Sequence, residues 1–323
     1  MDGQVVALDV GGTGIKTALI SHDGTAERVA TVPTGREHGP DAVVAHVLDV
    51  AARRCEEETA RGRPPRGVGL TLPGIVDEAS GVAVFSANVG WRDVPIGALL
   101  ARRLGVPAAL CHDVRAAGLA EARLGAGAQR EGPPSFVFCA IGTGIGGALV
   151  LDGRVHAGAH FRAGEIGHVV VAPDGPVCGC GARGCVETLA SASAIARRYG
   201  RRSGVTDVDA EDVAQRVAGG ERLAAEVWAD AVHALARGLM TCVTLVDPGL
   251  VVIGGGLAAA GATLLVPLAA ALAERATFQV PPRLEVTRLG ALAGCQGAGL
   301  AAWDLVTGAS KAGAGTAGTA AVA

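Results

Sequence analysis

Runs of apolar residues mark out the strands of this chain, and three-to-four-residue apolar spacing marks out its helices. Residues 4–10 (QVVALDV) are apolar and rich in valine, and a second such run passes through Ala18, Leu19 and Ile20. The glycine-rich turn 11–14 separates them, giving a strand–turn–strand unit. Behind Pro40, the positions of Val43, Val47, Val50 and Ala51 predict a helix over 41–58 with a charged outer face. The Arg63–Arg66 stretch (RPPR) ends that pattern, and a strand follows over 67–72. Pro73 and Gly74 then turn the chain into a loop, and 86–91 (SANVGW) reads as a second polar loop. A helix over 95–104 carries Pro95 in its first turn. A short strand at 107–111 and a helix over 114–124 follow, joined by His112 and Asp113.

After the Gly- and Pro-rich loop 125–134, the opening unit repeats. Shifted by 130 positions, residues 12–19 and 142–149 share six identities in eight positions. Helices are then predicted at about 187–199, 209–218 and 221–246, with Asp247-Pro248-Gly249 stopping the last. A strand over 250–253 enters Gly254, Gly255 and Gly256; a helix over 261–275, a strand over 283–289 and a helix near 293–306 complete the pattern. This is an α/β chain. The repeat predicts a smaller N-terminal domain over 1–124 and a larger C-terminal domain over 125–292, sharing a cleft. Residues 308–323 are small, low in complexity and expected to form a disordered tail.

Composition narrows the function. A net charge of −3 over 323 residues gives no reason to expect nucleic acid as the main partner. No apolar run reaches spanning length without Gly, Pro or charge, and no basic-then-apolar leader precedes the first strand, so a cytoplasmic protein free of membrane is expected. Only Lys16 and Lys311 are lysines, against 26 arginines, which draws attention to Lys16 in a glycine loop. Five of the eight cysteines are scattered, most simply as buried thiols.

The other three, Cys178, Cys180 and Cys185, fall within eight residues, and His168 lies ten residues upstream. Three thiolates and an imidazole make a closed tetrahedral zinc set, a structural site. Glu165 and Glu187 flank it, which a purely structural metal would not require.

The glycine turns point to phosphate. Gly142-x-Gly144-x-x-Gly147 fits the dinucleotide fingerprint, but a strand follows it where a helix is needed. A glycine hairpin binds phosphate differently, through bare backbone N–H groups and a threonine hydroxyl. Gly11, Gly12 and Thr13 in one hairpin and Gly142, Thr143 and Gly144 in the other would together hold the phosphates of ATP. Asp9 is placed to hold Mg2+ through water, and Lys16 to offset phosphate charge. Gly254, Gly255 and Gly256 would let backbone approach a flat base such as adenine.

Taken together, the segments Asp9–Lys16 (DVGGTGIK), Leu72–Asp77 (LPGIVD), Ser86–Trp91 (SANVGW), Asp113, Gly142–Gly147 (GTGIGG), Gly164–His168 (GEIGH), Cys178–Glu187 (CGCGARGCVE) and Gly254–Gly256 resemble the ROK family of sugar kinases and repressors. The bacterial glucokinase-like members are most similar. The resemblance implies an actin-like ATPase fold with two ribonuclease-H-like domains around a cleft, the last helix packing on the N-terminal domain. It further implies ATP-dependent phosphorylation of a hexose, glucose to glucose 6-phosphate, in a homodimer or homotetramer. Asp113 would be the general base, and Gly74, Asn88, His112, Glu165, His168 and Glu187 would meet the sugar. His112 departs from the family pattern, which commonly has a sugar-contacting asparagine there. N-acetylglucosamine, N-acetylmannosamine and fructose are alternative substrates by the same resemblance. A weakly catalytic sugar-sensing regulator is the rival role; such members carry an N-terminal helix-turn-helix module, for which a hairpin starting at residue 9 is taken to leave no room.

Overall fold

The computed structural model describes residues 2–128 and 135–309. Most of the loop expected as a domain boundary, and the expected tail from 310 onward, lie outside the described residues. The chain divides into two compact units, Met1–Ala116 with Leu292–Ala323, and Ala117–Ala291.

The first unit is built on five strands: β1 (Gln4–Val10), β2 (Gly14–Ser21), β3 (Ala26–Pro33), β4 (Val68–Leu72) and, after a small sheet, β8 (Ala108–His112). Their order is β3-β2-β1-β4-β8. β1, β2 and β3 run antiparallel, whereas β1, β4 and β8 run parallel. The small sheet consists of β5 (Ile75–Asp77), β6 (Val82–Ser86) and β7 (Trp91–Val94). Successive residues of a strand face opposite sides, and β1 uses both. Val6, Leu8 and Val10 meet α1 (Pro40–Ala60) and α2 (Ile96–Leu104) through Val43, Val47, Ile96 and Leu100. Val5 and Ala7 meet α9 (Ala293–Thr307) through Cys295, Ala298 and Trp303. That second face is built for close approach: a Cβ on Gly69 would fall 2.0 Å from the Ala298 carbonyl oxygen. The Trp303 indole closes the contact by donating to Ile20 O at 3.0 Å. The helix α3 (Asp113–Arg123) begins in this unit directly after β8.

The second unit repeats the same sheet. Its strands are β9 (Phe136–Ile141), β10 (Ile145–Leu151), β11 (Arg154–His156), β12 (Leu250–Gly254) and β13 (Arg283–Val286), in the order β11-β10-β9-β12-β13. Here too three antiparallel strands are followed by two parallel ones. The repeat read over eight residues therefore extends to a whole sheet topology. Its helices are α4 (Val186–Ala190), α5 (Ala192–Ser203), α6 (Ala210–Ala218), α7 (Arg222–Val246) and α8 (Ala262–Arg275). α7 is long and apolar enough by composition to cross a bilayer, but its Val227, Trp228, Leu235 and Leu239 are buried in the core of this unit. A soluble core helix passes the same test.

Three expectations change in detail. The helix expected over 187–199 is two helices, because Ser191 adopts an extended conformation (φ −67°, ψ 156°) and caps α5 by accepting from the Ala194 amide at 3.1 Å. The strand expected over 283–289 ends at Val286. The loop expected at 86–91 is a turn between β6 and β7. β3 gives no apolar alternation to read, because six of its eight residues are exposed and none is buried, as befits an edge strand.

Candidate functional site

Each hairpin is closed by a glycine amide, but the first turn is one residue longer: residues 11–14 join Val10 to Ile15, and residues 142–144 join Ile141 to Ile145. In the first, the Gly11 amide donates to Gly14 O at 2.8 Å; in the second, the Gly142 amide donates to Gly144 O at 2.9 Å. Thr13 and Thr143 are exposed at the two tips, and neither Gly12 nor Gly142 has atoms crowding its missing side chain. Each tip thus offers a hydroxyl and open backbone, the donor set that phosphate oxygens need.

Around the first hairpin, Asp9 and Lys16 lie directly opposite each other across β1 and β2, so they share a face. Asp9 Oδ1 accepts from the Thr71 hydroxyl at 2.7 Å. A Cβ on Gly294, in the first turn of α9, would meet Asp9 Oδ2 at 2.6 Å. The carboxylate is therefore seated against a helix N-terminus, with room that only glycine leaves. Thr71 and Gly294 were not foreseen as part of the site; nothing near them in sequence signals it.

The other groups of the first unit cluster at the β8–α3 junction. Asp113 Oδ1 accepts from the Val114 amide at 2.7 Å, and its side chain is 34% exposed. His112, one residue before, is buried, with Nε2 3.3 Å from Asp113 Oδ1. Glu78 Oε1 accepts from the His112 amide at 2.9 Å and from Arg115 Nε at 3.0 Å. Burial first, and the nearby Arg115 guanidinium second, push the His112 pKa down to about 3, so the ring is neutral at pH 7. Asn88 is exposed in the turn after β6. Gly74 supports that turn: it has φ 107°, and a Cβ there would sit 2.2 Å from Phe85 O.

In the second unit, the hairpin, the acidic loop and the cysteines form one cluster. The Ile145 amide donates to Glu187 Oε2 at 2.9 Å. A Cβ on Gly144 would meet that same oxygen at 2.4 Å. The Glu165–His168 loop lies against β10 where glycine permits contact, with Gly167 against Ile145 O and Gly164 against Gly147 O. Ser193 and Ala192, at the start of α5, donate to Thr143 O and Gly142 O.

Ligand atoms of His168, Cys178, Cys180 and Cys185 lie within 4.8 Å of one another. Cys178 Sγ is 3.5 Å from His168 Nδ1, and Cys180 Sγ is 3.7 Å from Cys185 Sγ. A zinc tetrahedron with ordinary bond lengths has S···N edges of about 3.6 Å and S···S edges of about 3.8 Å. The donor set fits zinc. Without a metal the thiols shift in opposite directions: a hydrogen bond from the Ala182 backbone lowers the Cys180 pKa, whereas burial raises that of Cys185. Gly184 makes the knuckle possible, since it has φ 68° and any Cβ would overlap Ala172 O. His168 presents Nδ1 to the sulfurs, and its Nε2 is 4.0 Å from Glu165 Oε2.

A cavity of about 450 Å3 in this unit is lined by Ala192, Asp209, Gln215, Gly256, Leu257 and Thr263. Of the three glycines 254–256, only Gly256 lines it. Gly254 packs on the Phe138 ring, and Gly255 (φ 76°) packs on Ile141 O. In sequence Asp209 and Gln215 are simply residues of a helix; their position beside Gly256 depends on the tertiary fold.

A family model for the ROK family matches residues 5–304. A glucokinase of Thermotoga maritima is 34% identical over 279 residues, covering 82% of this chain and 86% of that protein. The crystal structure of a ROK hexokinase from Thermus thermophilus superposes with a TM-score of 0.81 at 35% identity, covering 94% of this chain and 99% of that one. A ROK family transcriptional regulator, homolog of the E. coli MLC protein, superposes with a TM-score of 0.84 at 26% identity, covering 94% of this chain and 79% of that one.

The depressed His112 pKa has a consequence for stability. An unfolded-chain histidine takes a proton near pH 6.5, whereas the folded ring resists it until about pH 3. The site's contribution is complete above pH 6.5 and falls as pH drops toward 3, by about 1.4 kcal/mol per pH unit. Between pH 7 and 5, chemical denaturation of His112→Gln should lose about 2 kcal/mol less than the wild type does. Equal losses would contradict the buried, neutral ring.

Proposed function

The chain belongs to the ROK family, and on that premise we propose that it is an ATP-dependent hexose kinase acting on the 6-hydroxyl of glucose, with Asp113 as general base. What supports this reading is that each unit carries a glycine hairpin with an exposed threonine at its tip, and that the first unit also carries a carboxylate at the start of α3. The names of the relatives supply the hexose, and the glycine hairpins supply the case for a nucleoside triphosphate. The two units are read as the two domains of the kinase, working in the cytoplasm as a homodimer or homotetramer.

In the proposed reaction the sugar oxygen forms a bond to the γ-phosphorus as the bond from that phosphorus to the β-phosphate oxygen breaks. ADP leaves, and the hydroxyl proton passes to the Asp113 carboxylate. A neutral alcohol is a poor nucleophile, so a positioned base lowers the barrier; most of the remaining work is orientation and charge neutralisation. The amides of Gly12 and Gly144 and the hydroxyls of Thr13 and Thr143 would bind phosphate oxygens, with the Gly11 and Gly142 amides closing the turns and Lys16 adding positive charge. Asp9, seated by Thr71 and Gly294, would hold Mg2+, whose charge offsets that of the phosphates when it is bound. The adenosine moiety would occupy the cavity beside Gly256.

Asn88, Glu165, His168 and Glu187 would bind sugar hydroxyls, with Gly74 holding the Asn88 turn. A single hydroxyl oxygen can lie about 2.8 Å from both His168 Nε2 and Glu165 Oε2, given their 4.0 Å separation. Zinc on His168, Cys178, Cys180 and Cys185 would then be structural, with four protein ligands and no open position. It would fix His168 by one ring nitrogen while the other meets the sugar, a link through the ligand's far side.

Replacing Asp113 with alanine should lower kcat by about 10²- to 10⁴-fold with the thermal midpoint preserved; unchanged turnover would reject Asp113 as the base. Cys180→Ser should lose zinc by metal analysis and raise the KM for glucose about 10-fold, with the KM for ATP within about two-fold. Zinc loss with unaltered glucose KM would uncouple the metal from the sugar.

A further inference from the structure

We infer that His112 is a positioning residue for Asp113, a neutral ring that donates its Nε2 hydrogen to Oδ1 and fixes the carboxylate's orientation instead of contacting the sugar. The inference rests on the kinase reading for what Asp113 does, but not for where His112 points.

The tautomer follows from the ring's two partners. Nδ1 lies 3.4 Å from the Arg115 amide, which can only donate, so Nδ1 accepts and carries no hydrogen. A neutral imidazole has one N–H, which therefore sits on Nε2. Nε2 is 3.3 Å from Asp113 Oδ1, which can only accept when ionised. Oδ1 thus faces two donors, the Val114 amide, which hydrogen-bonds to it at 2.7 Å, and the ring nitrogen, 3.3 Å away. Two donors on one oxygen fix the plane of the carboxylate, and a general base works only when its acceptor lone pair is aligned with the proton it takes.

The ring is itself immobilised. Glu78 Oε1 accepts from the His112 amide and from Arg115 Nε, and Arg115 Nη2 donates to Val76 O at 3.2 Å. Arg115 is buried, so the Glu78–Arg115 pair clamps the first turn of α3 to β5. The groups facing the ring are accordingly Arg115, Glu78 and Asp113, with Cys111 adjoining in β8. The cation beside Nδ1 disfavours a second proton on the ring, which agrees with the low pKa already described. With its side chain 10% exposed and both nitrogens engaged, His112 has little to offer a sugar hydroxyl.

The test compares His112→Asn with His112→Gln. A glutamine amide nitrogen reaches the place of Nε2, whereas an asparagine amide stops near the place of Nδ1. His112→Asn should lose kcat about 10-fold or more with the glucose KM within about two-fold, and His112→Gln should recover most of the kcat. A glucose KM raised about 10-fold at unchanged kcat would make His112 a sugar contact and overturn the inference. Wild-type kcat in His112→Asn would overturn it as well. The wild-type protein supplies a second readout that needs no variant: nitrogen NMR of histidine-labelled protein should give His112 a protonated Nε2 and a bare Nδ1 from pH 5 to 8. A protonated Nδ1, or titration of this ring near pH 6.5, would overturn the proposal even if the variants failed to fold. The two readings fail separately. An active Asp113→Ala protein defeats the base assignment, whereas an essential Asp113 with an indifferent His112→Asn defeats only this inference.

Discussion

Ile145 offers its amide to the Glu187 carboxylate and packs its carbonyl against a loop that has no side chain at Gly167. Both contacts are made by backbone in the second hairpin, and each reaches a different part of the acidic loop. Through Gly167 the hairpin fixes Glu165 and His168, which flank it in the same short turn. Through Glu187 it fixes the start of α4, whose N-cap is Cys185. The cysteine knuckle then joins these two ends, because His168 and Cys185 belong to one set of four converging ligand atoms. A phosphate-type hairpin, two carboxylates and a zinc-type tetrahedron are thus parts of one closed circuit. Side chains as long as glutamate lose considerable rotamer freedom on being fixed, and the circuit spends that entropy in folding, ahead of any ligand.

The two sheets have one topology but have been put to different ends. In the first unit the hairpin is backed by Asp9, held by Thr71 and seated beside the bare first turn of α9. In the second the equivalent hairpin is backed by Glu187 and by the start of α5. One copy thereby presents a carboxylate beside the first turn of α9, and the other a carboxylate tethered to the hairpin on which the Glu165–His168 loop packs. The same fold carries regulators as well as kinases among the ROK proteins of known structure. The architecture alone therefore does not tell a kinase from a regulator.

Much of this was legible from sequence because the chemistry is local there. The strand–glycine–strand units, the cysteine spacing and the GEIGH segment each declare themselves within one short contiguous stretch of chain. What stayed hidden depends on contacts across longer separations. The Ile145–Glu187 bond spans 42 residues and the His112–Glu78 bond 34. His112 in particular reads in sequence as a substitute sugar ligand. In the fold the Arg115 amide meets its Nδ1, and its Nε2 lies 3.3 Å from Asp113 Oδ1. Likewise Gly254, Gly255 and Gly256 are indistinguishable in sequence, yet two of them serve packing and one borders a cavity.

The central claim, a kinase that moves the γ-phosphate of ATP to a hexose, is tested most directly by incubating the protein with ATP, Mg2+ and a panel of glucose, N-acetylglucosamine, N-acetylmannosamine and fructose. The account predicts hexose-dependent ADP formation matched one for one by sugar phosphate, with the highest kcat/KM for glucose. ADP production that no hexose stimulates would contradict it.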